Sequence, residues 1–374
     1  MKPVLFVTGH APAYRVGAFA RLHESEGIEL ALFGGRSLHG GPEHDSELPF
    51  PHRHVRPHEL YGLAACGGYR AVVCPTGGRV APLASWAGAR RAHVPLILWA
   101  SLWAHPRSAA HALSYLPLRR LYRSADAVVT YGAHVSAYVS ARGAHNVQIA
   151  AQSVDNDFWR SSEVADPDMA TPEVPAGRGA AETTFLFVGR ARPEKGGALL
   201  LDAWRASGLR PPRARLVLVG PHAEAGDGQP SRGPGLEPPA DGVERLPALD
   251  ARDLRDVYAA ADVLVVPSVA TATFREPWGL VVNEAMNRGL AVIASDAVGA
   301  AAGGLVRDGA NGLIVGAGDS AALAGALERL AADASLRRSM GATGATDVEA
   351  FDHDAWAAGF SRALATVGLS RGHW

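Results

Sequence analysis

Short apolar runs rich in Val, Ile and Leu alternate along the chain with longer segments in which apolar residues recur every three or four positions. The short runs are typical of buried strands, and the longer pattern is typical of amphipathic helices. This alternation predicts parallel sheets joined by crossover helices. In the first half, helical patterns cover segments such as Val16–Glu24 and Leu116–Ser124, and the predicted strands are Val4–Thr8, Ile28–Phe33, Ala71–Cys74, Pro95–Trp99, Ala127–Tyr131 and Val147–Ala150.

The periodic patterns stop at residues 161–183, where Pro, Ala and Gly accumulate, and this composition predicts an inter-domain linker. The alternation then restarts. Residues 223–242, with five Gly and four Pro, predict a surface loop, and a last helix is expected at Ala355–Val367. The strands predicted in this half are Thr184–Gly189, Arg215–Gly220, Val263–Pro267, Ala291–Ser295 and Gly312–Val315.

These patterns predict an α/β protein with two Rossmann-like, doubly wound domains that face a cleft. The chain of 374 residues is longer than one hydrophobic core usually serves. We expect an N-terminal domain at 1–160, a linker at 161–183, a C-terminal domain at 184–350 and a terminal segment at 351–374. Because ligands bind beyond the carboxyl ends of the strands in such sheets, the chemistry is expected in the loops at those ends.

The composition is that of a globular protein, with 48% hydrophobic and 20% charged residues. The apolar runs are far shorter than the ~20 residues that a membrane-spanning helix needs. The first residues lack the flanks of a signal peptide. The two cysteines, Cys66 and Cys74, provide neither a disulfide framework nor a metal-ligand spacing. We therefore expect a cytoplasmic enzyme.

The net charge of −1 conceals an uneven distribution. Residues 1–160 carry a formal charge of +6 and twelve of the fifteen histidines, whereas the remaining residues carry −7. A nucleic-acid-binding protein would concentrate its basic residues on one element, so no nucleic acid is expected as a partner. The asymmetry instead predicts two domains with different ligands, the first ligand being anionic. The alternative, cations spread over solvent-facing helices, stays open.

A basic, glycine-rich turn follows the first predicted strand of the second domain. Its sequence is GRARPEKGG at residues 189–197, directly before a helix predicted at Ala198–Ala206. An arginine fork, a lysine ammonium and a helix N-terminus together suit a diphosphate. The turn is not a P-loop, because Lys195 precedes the glycines and no Ser or Thr follows it. A solvated basic turn is the alternative interpretation.

A second motif, REPWGLVVNEAM, occupies residues 275–286. Pro277 suits the first turn of a helix, and Gly289 suits its C-terminal stop. Such a helix places Glu276 at its start and Glu284 about two turns along its axis. The carboxylates would accept hydrogen bonds from sugar hydroxyls, and free N–H groups at the helix start would bind phosphate. The helix dipole alone would explain Glu276 but not an acid deep in an apolar helix.

In these residues the chain resembles the retaining glycosyltransferases of family 4, which have the two-domain GT-B fold. The family's signature is a pair of glutamates separated by seven residues, which Glu276 and Glu284 match. Its second mark is a Gly-Arg turn followed by Lys-Gly, which Arg190 and Lys195 match. The resemblance covers most of the second domain, from Phe185 to about Leu330, and is weak in the first. Two further matching runs are VYAAADVLVVP at 257–267 and VRDGANGLIV at 306–315.

The resemblance implies a role for each matching residue. Arg190 and Lys195 would bind the donor diphosphate, and Gly279 and Leu280 would offer backbone N–H groups to phosphate. Glu276 would hold hydroxyls of the transferred sugar, and the second glutamate would hold the nucleotide ribose. The helix that includes residues 356–367 would pack back on the first domain.

Two positions of the first domain are expected near the reacting groups on the same ground. Family members often carry a histidine near the reacting sugar, and His105 in LILWASLWAHP is its nearest counterpart, with a core or surface histidine as the alternative. The Gly-Gly pair of the family is missing after the first strand. The chain has GHAPAYRVG at residues 9–17 instead. Gly17 is expected to contact the ligand in place of the missing glycine pair.

Two other patterns compete for a function. Asp155-Asn156-Asp157 matches the Asp-x-Asp that holds Mn²⁺ in single-domain transferases, but its place at the linker favours a cap or turn, so no metal site is expected. The segment LPLRRLYR at residues 116–123 would suit the surface of an anionic membrane. An ordinary surface helix is the simpler interpretation. Membrane association is therefore expected to be peripheral at most.

These observations and the family resemblance together predict a metal-independent hexosyltransferase that needs no cofactor. It would move a sugar, with retention of configuration, from a UDP- or GDP-linked donor to a small-molecule or glycan acceptor. An anionic acceptor is expected because Arg15 and Arg107 lie in first-domain loops. A GT-B-fold sugar-nucleotide epimerase or hydrolase, and a non-catalytic sugar-nucleotide-binding subunit, are the alternatives. A dinucleotide oxidoreductase is disfavoured because no Gly-x-Gly-x-x-Gly follows an early strand.

Overall fold

A computed structural model of the protein describes residues 2–34, 48–78, 80–161, 182–220 and 241–369. The chain forms two compact units. The first unit comprises the chain up to Asp155 together with the residues from Phe351 onward, and the second comprises Asn156–Ala350. Each unit has its own parallel sheet and its own hydrophobic core.

Strands and helices alternate through both units, as the hydrophobic pattern predicts. The described strands are β1 (Val4–Thr8), β2 (Ile28–Leu32), β3 (His52–His54), β4 (Ala71–Pro75), β5 (Leu96–Ala100), β6 (Ala127–Thr130), β7 (Val147–Ile149), β8 (Thr183–Val188), β9 (Ala214–Val219), β10 (Val243–Leu246), β11 (Val263–Val266), β12 (Ala291–Ser295) and β13 (Gly312–Val315). The described helices are α1 (Ala13–Glu26), α2 (Leu60–Ala65), α3 (Ala81–Ala92), α4 (Ala109–Ser124), α5 (Ala133–Ser140), α6 (Asn156–Arg160), α7 (Gly197–Ser207), α8 (Ala251–Ala259), α9 (Val281–Asn287), α10 (Gly299–Ala302), α11 (Ser320–Ala332), α12 (Ala334–Asp347) and α13 (His353–Thr366).

The first unit is built on a parallel sheet with the strand order β3-β2-β1-β4-β5-β6-β7. The order reverses between β1 and β4, where the chain crosses from one half of the sheet to the other. Every residue of β1 and β5 is buried, because helices cover both faces of the sheet. Helices α1 and α13 pack on one face, and α2 to α5 contribute the core of the other.

Helix α13 returns the chain to the first unit and packs against α1, β6 and β7. Its Trp356 and Phe360 are buried among Phe6, Phe19 and Trp99, with ring centroids 4.6–6.3 Å apart. Aromatic pairs at such distances stabilise a core beyond the area that they bury. The first unit therefore completes its core only with residues from the far end of the chain.

Backbone contacts and a buried ion pair hold the C-terminal residues in place. A Cβ atom at Gly359 would lie 2.5 Å from the carbonyl oxygen of Ile149, so the bare glycine lets α13 approach β7. Arg70 donates a 2.9 Å hydrogen bond to the carbonyl oxygen of Leu369 and forms a buried 2.6 Å ion pair with Glu26. Through Arg70, the last described residue is thus linked to the C-terminal end of α1.

The second unit repeats the architecture with the strand order β10-β9-β8-β11-β12-β13, again with all described strands parallel. Helices α7 and α11 pack on one face, around Phe185 and Trp204. Strand residues alternate between faces. The alternation turns Leu264 and Val266 of β11 to the opposite face, where α9 packs against β11 and β12. The order reverses between β8 and β11.

The predicted α/β class with two doubly wound sheets is confirmed. The predicted strands are present with ends that shift by at most one residue. The sequence patterns missed β3 and β10. Both are outermost strands, which pair on one side only, and β3 (His52–His54) is polar and largely exposed. A short edge strand buries too little surface to need an apolar run.

The boundary between the units differs from the predicted end of the first domain at residue 160. The division falls after Asp155, because α6 packs on α9 and its Asn156 donates a 3.2 Å hydrogen bond to the carbonyl oxygen of Val348. Residues 162–181 of the predicted linker lie outside the described residues, and so do residues 223–240 of the predicted loop.

The aromatic contact of α13 leads to a prediction about stability. Trp356 is 1% exposed, so Trp356→Ala leaves a large cavity and is expected to lower the free energy of unfolding by about 3–5 kcal/mol. Denaturant unfolding followed by circular dichroism measures the change. The control Ala365→Ser, on the exposed side of the same helix, should change stability by less than about 0.5 kcal/mol. A Trp356→Ala protein as stable as the control would contradict the role of α13 in the core.

Candidate functional site

The reversal of strand order between β8 and β11 brings two loops together at the carboxyl edge of the second sheet. One loop, residues 189–196, follows β8, and the other, residues 267–280, follows β11. In doubly wound sheets the connections that follow two such strands leave on opposite faces of the sheet, and the crevice between their first residues can hold a ligand. The two motifs singled out from the sequence are these two loops.

A close backbone contact joins the two loops. Gly196 has φ of 74°, and a Cβ atom there would lie 2.0 Å from the carbonyl oxygen of Pro267. The chain can therefore make this turn, and touch the other loop, only with glycine at this position. Beside it, the N–H of Val269 donates a 2.9 Å hydrogen bond to the carbonyl oxygen of Glu194. The basic turn is thus held against the loop that follows β11.

Lys195 and Glu276 form an ion pair across this contact. Glu276 is 7% exposed, and the Ser268 hydroxyl donates a 3.4 Å hydrogen bond to the same carboxylate oxygen. A carboxylate buried in this way needs a cation or several donors to remain ionised. The ion pair therefore joins two side chains that lie 81 positions apart in the sequence.

A cavity of about 250 Å³ opens beside the turn. Phe187 and Leu218 provide apolar wall, and Arg190, Arg192 and Arg245 bring positive charge to its lining. Within the described residues, no carboxylate lies within ion-pair distance of these three guanidinium groups. An apolar cavity with unneutralised cations suits a ligand that has a flat apolar part and an anionic part.

The second motif differs from its predicted helix. Pro277 is not in the first turn, because α9 begins only at Val281. Gly279 has φ of 93°, which a helix cannot continue through. The carbonyl groups of Glu276 and Trp278 instead accept hydrogen bonds of 3.1 and 2.8 Å from the first two residues of α10. These tertiary hydrogen bonds replace the helical ones that the spacing predicts.

The later helix start changes the environment of the second glutamate. Glu284 lies in the first turn of α9, not two turns along a helix. In the part of the chain that the structure describes, the N–H groups of Gly279 and Leu280 donate to no protein acceptor, and they precede this helix directly. Gly289, with φ of 72°, follows the end of α9, as predicted.

Glu284 accepts a 2.7 Å hydrogen bond from the hydroxyl of Tyr258. Burial raises the pKa of Glu284 to about 7, and the hydrogen bond from Tyr258 opposes this rise. Burial and the neighbouring carboxylate also raise the pKa of Tyr258 well above its ordinary value. A carboxyl group that titrates near neutral pH can both accept and donate hydrogen bonds to a ligand.

The first unit carries a cationic group near the carboxyl ends of its strands. Arg15, in the first turn of α1, donates a 2.6 Å hydrogen bond to Gln152, and its guanidinium lies 4.7 Å from the ring centroid of Trp99. An amide and an aromatic face hold the guanidinium without cancelling its charge. Among the described residues, no carboxylate forms an ion pair with Arg15.

The structure places Gly17 in α1, under the ring of His353. A Cβ atom at Gly17 would lie 2.5 Å from that ring, and the Nδ1 atom of His353 lies 3.1 Å from the Ser153 hydroxyl. The glycine thus makes room for the first turn of α13. This packing explains the residue, and its contact with a ligand stays a prediction.

His105 lies in a group of aromatic residues of the first unit. Its Nδ1 atom lies 3.3 Å from the Tyr138 hydroxyl, and its Nε2 atom lies 2.8 Å from the carbonyl oxygen of His111. Its ring packs edge-on against Tyr115, with 5.0 Å between the centroids. Because protein groups contact both ring nitrogens, this geometry favours a packing role. A catalytic role for His105 stays a prediction.

Sequence reasoning missed three residues that shape the site of the second unit: Tyr258, Ser268 and Arg245. Tyr258 belongs to the run VYAAADVLVVP, where a polar hydroxyl in an apolar segment could have indicated a buried partner. Ser268 is the second residue after β11 and so lies at the carboxyl end of this strand. Arg245 had no sequence signal, because it lies in the unpredicted strand β10.

The Asp-x-Asp match and the two cysteines were considered above as metal-ligand patterns. In the described ranges, no group of three or more His, Cys, Asp or Glu side chains is arranged to hold a metal ion. Asn156 is at the centre of the Asp-x-Asp match and is the first residue of α6. It accepts a 2.8 Å hydrogen bond from Asn287. Cys66 and Cys74 are both free. None of the described helices is long and apolar enough to cross a membrane.

Most of the second unit matches a known protein family. Residues 182–333 match the family model described as Glycosyl transferases group 1. A D-inositol 3-phosphate glycosyltransferase of Mycolicibacterium vanbaalenii is 38% identical over 196 residues, which cover 48% of this chain and 40% of that protein. A phosphatidyl-myo-inositol mannosyltransferase of Mycobacterium leprae is 35% identical over 190 residues, covering 50% and 47%. The chain thus spans less than half the length of these curated relatives.

Solved structures match both units. The structure of Anabaena Alr3699/HepE in complex with UDP and glucose aligns with a TM-score of 0.71 and 18% identity, over 98% of this chain and 100% of that one. The sucrose-phosphate synthase from Thermosynechococcus elongatus aligns with a TM-score of 0.69 and 21% identity, over 98% and 99%. These alignments show the GT-B fold. The predicted resemblance to GT-B-fold glycosyltransferases is therefore confirmed.

The raised pKa of Glu284 leads to a prediction about pH. Folding raises this pKa from 4.5 to about 7, so the folded protein holds a proton that the unfolded chain releases. Stability that depends on this proton is fully present below about pH 4.5 and is lost as the pH rises to about 7. The unfolding free energy of the wild type should therefore fall across this range relative to Glu284→Gln. The control Glu328→Gln, at an exposed position of α11, should follow the wild-type profile. Parallel profiles for the wild type and Glu284→Gln would contradict a carboxyl group that titrates near neutral pH.

Proposed function

We propose that the protein is a glycosyltransferase that moves a sugar from a nucleoside-diphosphate sugar to an acceptor with retention of configuration. The observation that carries this proposal is the pairing of Lys195 with the buried Glu276 beside Arg190, at the reversal of the second sheet. This place lies inside the segment that matches the glycosyltransferase family model. The same edge offers charged groups for a diphosphate and a carboxylate for sugar hydroxyls.

The donor diphosphate would lie between the basic turn and the start of α9. Arg190 and Lys195 would bind its oxygens, and the N–H groups of Gly279 and Leu280 would donate to it. The neighbouring cavity of about 250 Å³ would hold part of the nucleoside against Phe187. A UDP- or GDP-linked donor fits this proposal, and UDP is bound by the structurally similar Alr3699/HepE.

Glu276 would bind the transferred sugar. Its carboxylate accepts hydrogen bonds from Lys195 and Ser268, and it would accept further ones from sugar hydroxyls. The ion pair would also set the position of the Lys195 ammonium before the donor binds. Glu284, with a pKa of about 7, would accept hydrogen bonds from ribose hydroxyls on the far side of the diphosphate.

The reaction would break the bond between the sugar's anomeric carbon and the diphosphate oxygen. Positive charge then develops on the sugar, and negative charge grows on the leaving diphosphate. Arg190, Lys195 and the N–H groups near α9 would stabilise that growing charge, which lowers the barrier because the interaction strengthens in the transition state. With retention, the leaving phosphate would accept the proton of the acceptor hydroxyl on the same face. The side chains would supply the charge without a metal ion.

An acceptor with a phosphate or carboxylate group would bind the first unit at Arg15. The guanidinium is fixed by Gln152 and Trp99, so little conformational entropy is lost when an anion binds. The charge of +6 on residues 1–160 would attract such an acceptor. Two of the relatives are named for an inositol phosphate and for phosphatidyl-myo-inositol.

The donor proposal predicts separate effects for the residues of the site. Arg190→Ala and Lys195→Ala should each weaken nucleoside-diphosphate binding about tenfold or more, because a charge-assisted hydrogen bond contributes roughly 1.5–3 kcal/mol. Glu276→Gln should leave this binding nearly unchanged and lower kcat with the sugar nucleotide. Isothermal titration calorimetry with UDP and GDP, and a turnover assay with the corresponding sugars, measure the two effects.

A matched control is Arg205→Ala. It removes an exposed arginine in the last turn of α7, whereas the candidate site lies at the start of this helix. It should change neither binding nor turnover. Unchanged affinity in both Arg190→Ala and Lys195→Ala would rule out the diphosphate assignment. Release of free sugar at the same rate with and without acceptors would identify a hydrolase instead.

The acceptor proposal predicts a dependence on charge. With D-inositol 3-phosphate as the test acceptor, Arg15→Ala should raise KM about tenfold, because it removes a charged hydrogen bond to the phosphate. KM should also rise with ionic strength in the wild type. Arg21→Ala, which removes an exposed arginine of the same helix, is the control and should have little effect. Equal use of inositol and its phosphate, with a salt-independent KM, would exclude an anionic acceptor group.

A further inference from the structure

Helix α4 exposes large apolar side chains to solvent. Leu113 is 82% exposed and Leu116 is 69% exposed, which are the highest values among the described large hydrophobic residues. Residues three positions apart share one face of a helix, so the two leucines lie side by side. The opposite face of α4 buries Leu121 and Tyr122 in the core of the first unit. The helix is therefore held on the protein, and among the described residues none covers Leu113 and Leu116 on its outer face.

Arginines continue the same outer face toward the C-terminal end of α4. Arg119, Arg120 and Arg123 are exposed, and Arg120 and Arg123 lie seven residues beyond Leu113 and Leu116, on the same side of the helix. The helix contains no Asp or Glu. Across the described part of the chain, no carboxylate forms an ion pair with these arginines.

Helix α3 extends this surface. Leu83 is exposed on α3, and so is Val80 directly before it. The guanidinium groups of Arg90 and Arg120 lie 5.8 and 5.9 Å from the ring centroid of Trp86, on whose ring both pack. The tryptophan thus joins the two helices in one surface of leucines and arginines, which we call the α3–α4 face. Helix α3, like α4, has no acidic residue.

We infer that the α3–α4 face docks on a membrane surface that contains anionic phospholipids. Leucine side chains on such a face enter the boundary between headgroups and acyl chains, while arginines bind the lipid phosphates. The indole of Trp86 suits the same interfacial depth. Docking in this way needs no membrane-spanning helix, and none of the described helices is long and apolar enough to be one.

The charge of the face selects this occupant over a second copy of the chain. A symmetric dimer through α4 would bring Arg119, Arg120 and Arg123 of both copies together without a described acidic residue on either helix. Like charges placed close together in an interface repel and oppose association. An anionic lipid surface neutralises the same arginines and also covers the leucines.

Vesicle flotation tests the inference. The full chain is mixed with vesicles of phosphatidylcholine that contain about 30% phosphatidylglycerol, and with vesicles of phosphatidylcholine alone. The wild type should float with the anionic vesicles at about 0.1 M salt and should be largely released at about 0.5 M salt. Arg119→Gln with Arg120→Gln should weaken partitioning by more than tenfold, since each arginine contributes roughly fivefold near an anionic surface. Leu113→Gln with Leu116→Gln should weaken it by at least about tenfold, because two apolar side chains no longer enter the interface.

The control replaces Arg329 and Arg338, two exposed arginines of the second unit, with glutamine. It removes the same net charge and should bind like the wild type. All the variants should keep the wild-type thermal unfolding temperature, because the four replaced residues of α4 are exposed. The inference is overturned if the wild type ignores anionic vesicles, if the leucine variant binds equally well, or if the control loses binding to the same extent. A concentration-dependent dimer that the leucine variant abolishes would assign the face to a second copy instead.

Discussion

The contact between the turn after β8 and the loop after β11 is the constraint on which the candidate site depends. Gly196 lets the two backbones touch, and the touching loops bring Lys195 to Glu276. A buried carboxylate cannot stay ionised without such a partner, and the lysine is held at the sheet edge by the same attraction. The proposed diphosphate-binding lysine and the proposed sugar-binding carboxylate are both positioned by this one backbone contact.

Local placement of charge matters more in this protein than net charge. The residues after 160 carry −7, yet their cavity brings together Arg190, Arg192 and Arg245 without a described acidic partner. The residues before it carry +6, and some of their arginines lie on two surfaces of different chemistry. Arg15 is fixed on Trp99 near the strand ends, whereas the arginines of the α3–α4 face lie beside exposed leucines. A summed charge predicts attraction, and only the arrangement distinguishes an anion site from a lipid-binding face.

Different helices cover the two faces of the first sheet, and each of these two surfaces belongs to one face. On one face, α1 and α13 bury an aromatic core that includes Trp99, the ring on which Arg15 rests. On the other face, α4 packs its buried side into the core and exposes leucines and arginines on its outer side. His105 and Gly17, which the family resemblance associates with reactants, are both accounted for by packing in this unit. The aromatic core therefore supports the proposed acceptor side by providing the Trp99 ring that holds Arg15.

The sequence by itself determined the fold class, the buried strands and the two loops that carry the candidate site, because hydrophobic periodicity and glycine placement are local signals. It also marked Lys195, Glu276 and Glu284 as unusual. Their relationships were decided by tertiary structure. The true start of α9 depends on hydrogen bonds from α10, and the pKa of Glu284 depends on burial beside Tyr258. Polar edge strands such as β3 escaped detection, since they bury too little surface to need an apolar pattern. Contacts between residues 80 or more positions apart leave no trace in a local pattern, and the ion pair of the site is such a contact.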